Sequence, residues 1–477
     1  MNKPEPYGPT PSPRQLTWHA MEYYGFIHFG VNTFTSKEWG YGDEDPEIFN
    51  PSEFDADQIA GAAADGGMTG LILTCKHHDG FCLWPSRYTE HSVRNSPWKN
   101  GKGNMVKEIA DACRRAGLKF GAYLSPWDRN HPEYGRADYL EYYRSQLQEL
   151  TTEYGDLFEI WFDGANGGDG YYGGAREHRK IPGPAYYEWD KIYRIARENQ
   201  PGACMFSDTG PDIRWVGNED GIAGDPCWPS LKESTVRKAP DPAKTGDFTG
   251  GDLAQAWAVD RQILNHGERD GDLWRPAECD VSIRPGWFYH SEEDRDVRDP
   301  ENLMDLYFKS VGRGGSLLLN LPPDRRGKIH PRDTESLREF RINRDRLFAK
   351  NLAAAGKFQA DNVRGGSDSF GPANPADPNP GTYWAADDHV RQAEIVLTLP
   401  RPAQFSVISL REHLPLGRRI SGFRIEIDRG QGWETYGSGE SIGARRLIRG
   451  ETRRADRIKL VITGSDAAPV LQEFGVY

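Results

Sequence analysis

The sequence predicts an α/β chain, a (β/α)8-like barrel followed by a C-terminal antiparallel β-sandwich. Two observations lead there. Through the first 345 or so residues, short apolar runs with polar or aromatic tips alternate with helical patterns. From about Ala353 onward the pattern becomes short alternating segments separated by turns. A length of 477 residues favours two domains. We place the barrel at 1–348 and the sandwich at 349–477.

The first apolar run, Tyr24 to Val31, carries His28. Gly70–Cys75 is continuous and rich in branched residues, as a buried parallel strand should be, and Lys76-His77-His78-Asp79-Gly80-Phe81 follows it. If the strand continued, the adjacent histidines would point to opposite faces. Lys119 to Trp127 carries aromatics, and Phe158 to Gly164 carries Asp163 behind Trp161 and Phe162. A strand is expected near Glu278, and Gly315 to Pro323 would close the barrel. Helices are expected over Asp55–Ala64, Met105–Ala116 (stopped by Gly117), Tyr139–Tyr154, Tyr187–Asn199 and Asp333–Asn351. An α/β barrel assembles its active site from several strand tips at one face. The later segments 392–399, 405–412, 422–428 and 456–463 alternate apolar with polar residues, and Gly365–Pro380 is a loop.

Net charge is −12 and no long basic run exists, which argues against nucleic acid. No apolar run is long enough to span a membrane. The six cysteines form no CxxC pair, so reduced or buried thiols are expected. The polar, proline-rich start is no signal peptide. A cytoplasmic protein is expected if Met1 is native, and a periplasmic or secreted one if a leader was removed. Fourteen Trp, 21 Tyr and 12 His exceed ordinary core needs and suit flat apolar ligands such as sugar rings.

Asp163, a carboxylate at a strand tip among aromatics, is the sharpest candidate for charge chemistry. Glycosidic chemistry needs a second carboxylate. Glu219, in the loop Arg214-Trp215-Val216-Gly217-Asn218-Glu219-Asp220-Gly221, and Glu278 are the two candidates. A zinc site from His28, His77, His78 and Asp163 competes on ligand type. Adjacent strand histidines diverge, however, and no HExxH motif is present, so neither metal nor cofactor is expected.

The motifs FIHFG (26–30), KEW (37–39), KHHDGF (76–81), AYLS (122–125), WFDG (161–164) and LLLNLPP (317–323) together resemble the α-L-fucosidases of glycoside hydrolase family 29 over residues 20–345. The resemblance implies a retaining exo-fucosidase with Asp163 as nucleophile. It implies a fucose pocket of His28, Glu38, Trp39, His77, His78, Tyr123 and Trp161. The RWVGNEDG loop resembles the subgroup that cleaves α1-3 and α1-4 fucose from branched Lewis-type glycans. There the acid/base falls on Glu219, with its glycines giving the loop freedom to move, and Arg214 becomes a pocket residue. Glu278 is the alternative acid/base, and Trp287 lies in the family's late aromatic region. The segment Gly167–Lys180 is an addition expected to reshape the leaving-group side. The last domain resembles galactose-binding-like sandwiches. The expected partner is a fucosylated oligosaccharide or glycoconjugate. A broad-specificity fucosidase that also takes α1-2 linkages, and a non-catalytic fucose-binding homologue, are the alternatives.

Overall fold

A computed structural model of the protein describes residues 2–236 and 259–477, apart from 182 and 184. Eight parallel strands close a barrel: β1 (Tyr23–Ile27), β2 (Gly70–Lys76), β3 (Lys119–Leu124), β4 (Leu157–Trp161), β5 (Cys204–Ser207), β6 (Ile213–Trp215), β7 (Ala277–Ser282) and β8 (Ser316–Asn320). They run around the barrel in sequence order, and β8 closes on β1 with Tyr24 beside Leu318.

The expected helices form at Ala56–Asp65, Met105–Arg115, Ala137–Glu153, Trp189–Asn199 and Pro331–Leu347. Asp55 and Asn104 cap the first two, each side chain accepting a first-turn backbone N–H. Pro300–Lys309 covers the β7–β8 crossover.

Two barrel strands escaped the sequence reading. β5 is only four residues long, and β6 is the first part of the stretch read as a loop around Arg214. No helix separates them. Residues 208–212 turn straight back, and Asp212 pins the turn by accepting the Met205 amide at 2.9 Å. Neither the length nor the helical spacing that marks a βα unit is present there.

The barrel is filled by Tyr24, Phe26, Ile72, Tyr123, Phe158, Trp161, Phe206, Ile213 and Leu318. Each such side chain removed from water contributes about 1.5–3 kcal/mol. This aromatic filling also forms the floor of the site described below.

The C-terminal region is an antiparallel sheet domain. Its strands are β9 (Lys357–Ala360), β10 (Ala393–Arg411), β11 (Ile420–Asp428), β12 (Trp433–Gly439), β13 (Arg446–Ser465) and β14 (Glu473–Val476). The order is β9-β10-β13-β11-β12, with β14 alongside β10. The segments 392–399 and 405–412, expected as separate strands, are one strand whose register shifts between Thr398 and Ala403 and again between Phe405 and Val407. Bulges let one strand bend without a turn, which alternation alone cannot reveal. Glu22, just before β1, accepts from Arg411 at 2.6 Å and from Arg445 at 2.8 Å, tying barrel to sheet.

Candidate active site

At the C-terminal ends of the barrel strands lies a cavity of about 430 Å³. His28, Glu38, Trp39, His77, His78, Trp161, Asp163, Glu219 and Trp287 all line it. Side chains from loops 250 residues apart therefore converge on one space.

His77 and His78 correct the sequence reading. β2 ends at Lys76, and the register with β3 shifts between Thr74 and Lys76, so strand alternation no longer applies. Both rings face the cavity, with centroids 4.1 Å apart. Lys76 itself is fully buried and bonds Asp128 at 3.0 Å and Gln146 at 2.9 Å. The two histidines thus stand on a rigid, ion-paired base.

Hydrogen bonds assign two of the ring tautomers. The Ser125 hydroxyl donates to the Trp127 carbonyl at 2.8 Å, so at 2.7 Å it accepts from His78 Nδ1. Asn320 Nδ2 donates to the Trp287 carbonyl, which fixes its amide, and Asn320 Oδ1 accepts from His28 Nδ1 at 2.9 Å. Burial lowers the pKa of His28 and of His78 to about 3, so both rings are neutral. Each therefore turns an unprotonated Nε2, an acceptor, away from its protein partner. His78 Nε2 lies 3.8 Å from Asp163 Oδ2. Two acceptors so placed suit a ligand hydroxyl. Burial also holds His77 well below the usual range, and among the described residues its Nδ1 has no hydrogen-bond partner.

Asp163 follows β4 by two residues. Its Oδ1 accepts the Ala165 amide at 2.7 Å, and its Oδ2 accepts the Tyr123 hydroxyl at 2.9 Å. Burial raises its carboxyl above the usual range, against the pull of those two bonds. Tyr123 reaches Asp163 from the barrel interior and does not itself line the cavity. Trp161 stacks on Phe206 with centroids 4.0 Å apart and packs on Tyr123 at 5.3 Å.

Glu219 stands at the exposed mouth, where Trp287 Nε1 donates to its Oε2 at 3.1 Å. Desolvation by the walls raises its pKa, the Trp287 bond opposes this, and the Asp163 charge adds to it. The loop's glycines have a different purpose from the expected mobility. Gly217 and Gly221 both take positive φ. A Cβ would lie 2.7 Å from Arg261 O at Gly217 and 2.7 Å from Val281 Cγ1 at Gly221. Close packing and turn geometry demand glycine there. Asn218 further ties the loop by accepting the Asp220 amide and donating to Ile222 O.

Arg214 is not a pocket residue. It is fully buried and donates to the Leu264 and Arg275 carbonyls, holding the segment that follows β6 against the approach to β7. Glu278 lies below the cavity rather than in it. It accepts from Trp161 Nε1 at 2.7 Å and from the Tyr24 hydroxyl, beside the buried Glu159. Burial raises both carboxyls, and Glu159 rises well above the ordinary range. Glu278 is therefore placed to support the Trp161 indole. The segment Gly167–Lys180 is a hairpin packed on Trp127, Arg129 and Tyr41, and none of it lines the cavity.

Sequence reasoning missed several lining residues. Asp280 lies two positions beyond Glu278 on the same face of β7, and it accepts from Trp215 Nε1 at 2.9 Å. The two-residue strand period could have found it. Asp208, on the β5–β6 turn, carried no such signal because β5 was not recognised. His290 is a partner of Glu38, donating to its Oε1 at 2.7 Å while the Trp287 and Phe288 amides also bind that carboxylate. Among the described residues, no three His, Cys, Asp or Glu side chains gather to hold a metal ion.

A model of the α-L-fucosidase family matches residues 8–341. The chain is 39% identical over 479 residues to α-L-fucosidase 1 of Arabidopsis thaliana, covering 99% of this chain and 88% of that one. Its structure resembles a Ruminococcus gnavus GH29 fucosidase solved in complex with fucose, with TM-score 0.87 and 33% identity over 100% of this chain and 96% of the other. A glycoside hydrolase 29 family member from an unknown rumen bacterium is 41% identical, with TM-score 0.85 over 99% of this chain and 78% of that one.

Proposed function

Because the chain belongs to the α-L-fucosidases of glycoside hydrolase family 29, we propose that it is a retaining exo-enzyme that removes α1-3- and α1-4-linked L-fucose from branched, Lewis-type glycans. Asp163 is the nucleophile and Glu219 the general acid/base. One observation carries the assignment. A single cavity holds a half-buried carboxylate aimed by Tyr123 and a second carboxyl at the mouth, held by Trp287.

The chemistry follows from these two environments. Asp163 attacks the anomeric carbon while Glu219 protonates the departing sugar oxygen. Glu219 then deprotonates the water that releases fucose from Asp163. A raised pKa suits Glu219, since an acid must still hold its proton near the working pH. The unprotonated nitrogens of His28 and His78 accept hydrogen bonds from fucose hydroxyls. Trp161 and Phe26 offer apolar surface for the ring and its methyl group.

The linkage preference rests on the RWVGNEDG motif and on the position of its loop at the cavity mouth. Fucosylated oligosaccharides of defined linkage test the reading. Fucose should be released fastest from branched α1-3 and α1-4 substrates, with the retained anomer seen first by NMR. Equal or faster cleavage of a linear α1-2 linkage would refute the preference, and an inverted first product would refute the mechanism.

A further inference from the structure

We propose that Asp208 is a specificity-determining residue that accepts a hydrogen bond from a hydroxyl of the sugar to which fucose is attached. This rests on the fucosidase reading of the same cavity. Asp208 lines that cavity and stands at the tip of β5. β5 lies between β4, which leads to the nucleophile candidate, and β6, which leads to the acid candidate.

The cavity wall divides by strand. Loops after β1, β2 and β7 contribute His28, Trp39, His77, His78 and Trp287. Those after β4, β5 and β6 contribute Gly164, Asp208, Asn218, Glu219 and Asp220. Asp163, in the loop after β4, attacks from the opposite face, and Glu219 marks the departing oxygen, so the loops after β5 and β6 beside Glu219 face the departing sugar.

The surroundings of Asp208 fit a ligand rather than a structural contact. Its carboxyl lies so close to Gly164 that a Cβ there would be 2.5 Å from Oδ1, so the chain at 164 leaves room for it. Among the described residues none hydrogen-bonds it. Burial, then the neighbouring Asp163 charge, pushes its pKa up to about 7. Its oxygens are open to the cavity and uncommitted to the protein, so a sugar hydroxyl can donate to them there. Asp163 beside it and Glu219 and Asp220 in the same cavity wall disfavour an anionic group, so the acceptor at this point is a neutral sugar.

Asp208→Ala and the isosteric Asp208→Asn test this against two substrates. One is a branched α1-3-fucosylated trisaccharide, and the other is α-fucosyl fluoride, which has no acceptor sugar. Asp208→Ala should lower kcat/KM on the trisaccharide about 10- to 100-fold, the loss expected for a hydrogen bond to a charged group. The fluoride rate and inhibition by free fucose should stay within about threefold. Asp208→Asn keeps one acceptor oxygen and should lie between wild type and Asp208→Ala. Equal losses on both substrates, or none on either, would overturn the proposal. A wild-type enzyme inactive on both would overturn the fucosidase reading itself.

Discussion

Tyr123, buried within the barrel, donates its hydroxyl hydrogen to Asp163 Oδ2 at 2.9 Å, outside the barrel strand that precedes it. A core aromatic thereby sets both the orientation and the charge of the nucleophile candidate. Burial raises the Asp163 pKa, and this bond lowers it. Tyr123→Phe removes only the lowering contribution. The acidic limb of kcat/KM should move to higher pH, and the rate at its plateau should fall about 10- to 100-fold. An unshifted limb with a normal rate would show that the bond has no part in catalysis.

Asp163→Ala and Asp163→Gly should reduce turnover by several orders of magnitude while leaving the unfolding midpoint near wild type. The carboxylate lies at the cavity wall and no packed core depends on it. Single-turnover kinetics together with a thermal melt separate the two effects. A near-normal rate in either variant would rule out Asp163 as nucleophile.

Glu219 and Glu278 should separate cleanly. Glu219→Ala should lose far more activity on natural glycans than on a fucoside with an acidic leaving group, since only a poor leaving group needs the proton. Azide should restore turnover and give fucosyl azide of retained configuration. Glu278→Ala should show no rescue. It strands the buried Trp161 N–H, while the Tyr24 hydroxyl keeps Ser316 Oγ at 3.1 Å, and should cost about 1–3 kcal/mol of stability. Rescue of the Glu278 variant alone would reverse the roles.

Activity should survive dialysis against a strong chelator. His28 and His78 commit Nδ1 to Asn320 and Ser125, and each neutral Nε2 is assigned to a sugar hydroxyl. Activity that returns only with added zinc would sink this assignment.

Acid should loosen the attachment of the sheet domain through Glu22. Burial alone would raise its pKa, but Arg411 and Arg445 outweigh burial and carry it down to about 2. A depressed folded-state value means stability that is fully present above the unfolded value, near 4.5, and is lost as pH falls toward 2. Glu22→Gln should cost about 3 kcal/mol near neutral pH, the equivalent of a carboxyl pKa carried from 4.5 to about 2, because Arg445 loses its carboxylate and Arg411 is left with Glu473. The difference from wild type should shrink between roughly pH 4.5 and 2. A pH-independent difference in denaturant midpoint would refute the linkage.

Much of the molecule was legible in the chain. Apolar runs with helical patterns between them marked six of the eight barrel strands, and the change to period-two alternation marked the sheet domain. Both signals are local, because strand burial and helix amphipathicity are written within about ten residues. The short motifs around His28, Glu38, His77, His78, Asp163 and Glu219 marked the cavity for the same reason. What stayed hidden depends on contacts between distant segments. Arg214 belongs to a motif, yet carbonyls at 264 and 275 draw it into the interior. Glu278 looks like a candidate acid until Trp161 and Tyr24 place it beneath the floor. Asp208 lies on a five-residue turn between two strands too short to show a period, and only barrel closure sets it between the nucleophile's strand and the acid's. The chain alone determined which elements form and which chemistry its motifs supply. Tertiary structure decided which polar side chains reach the cavity, because that depends on where the barrel ends and on which partners, far away in sequence, already hold them.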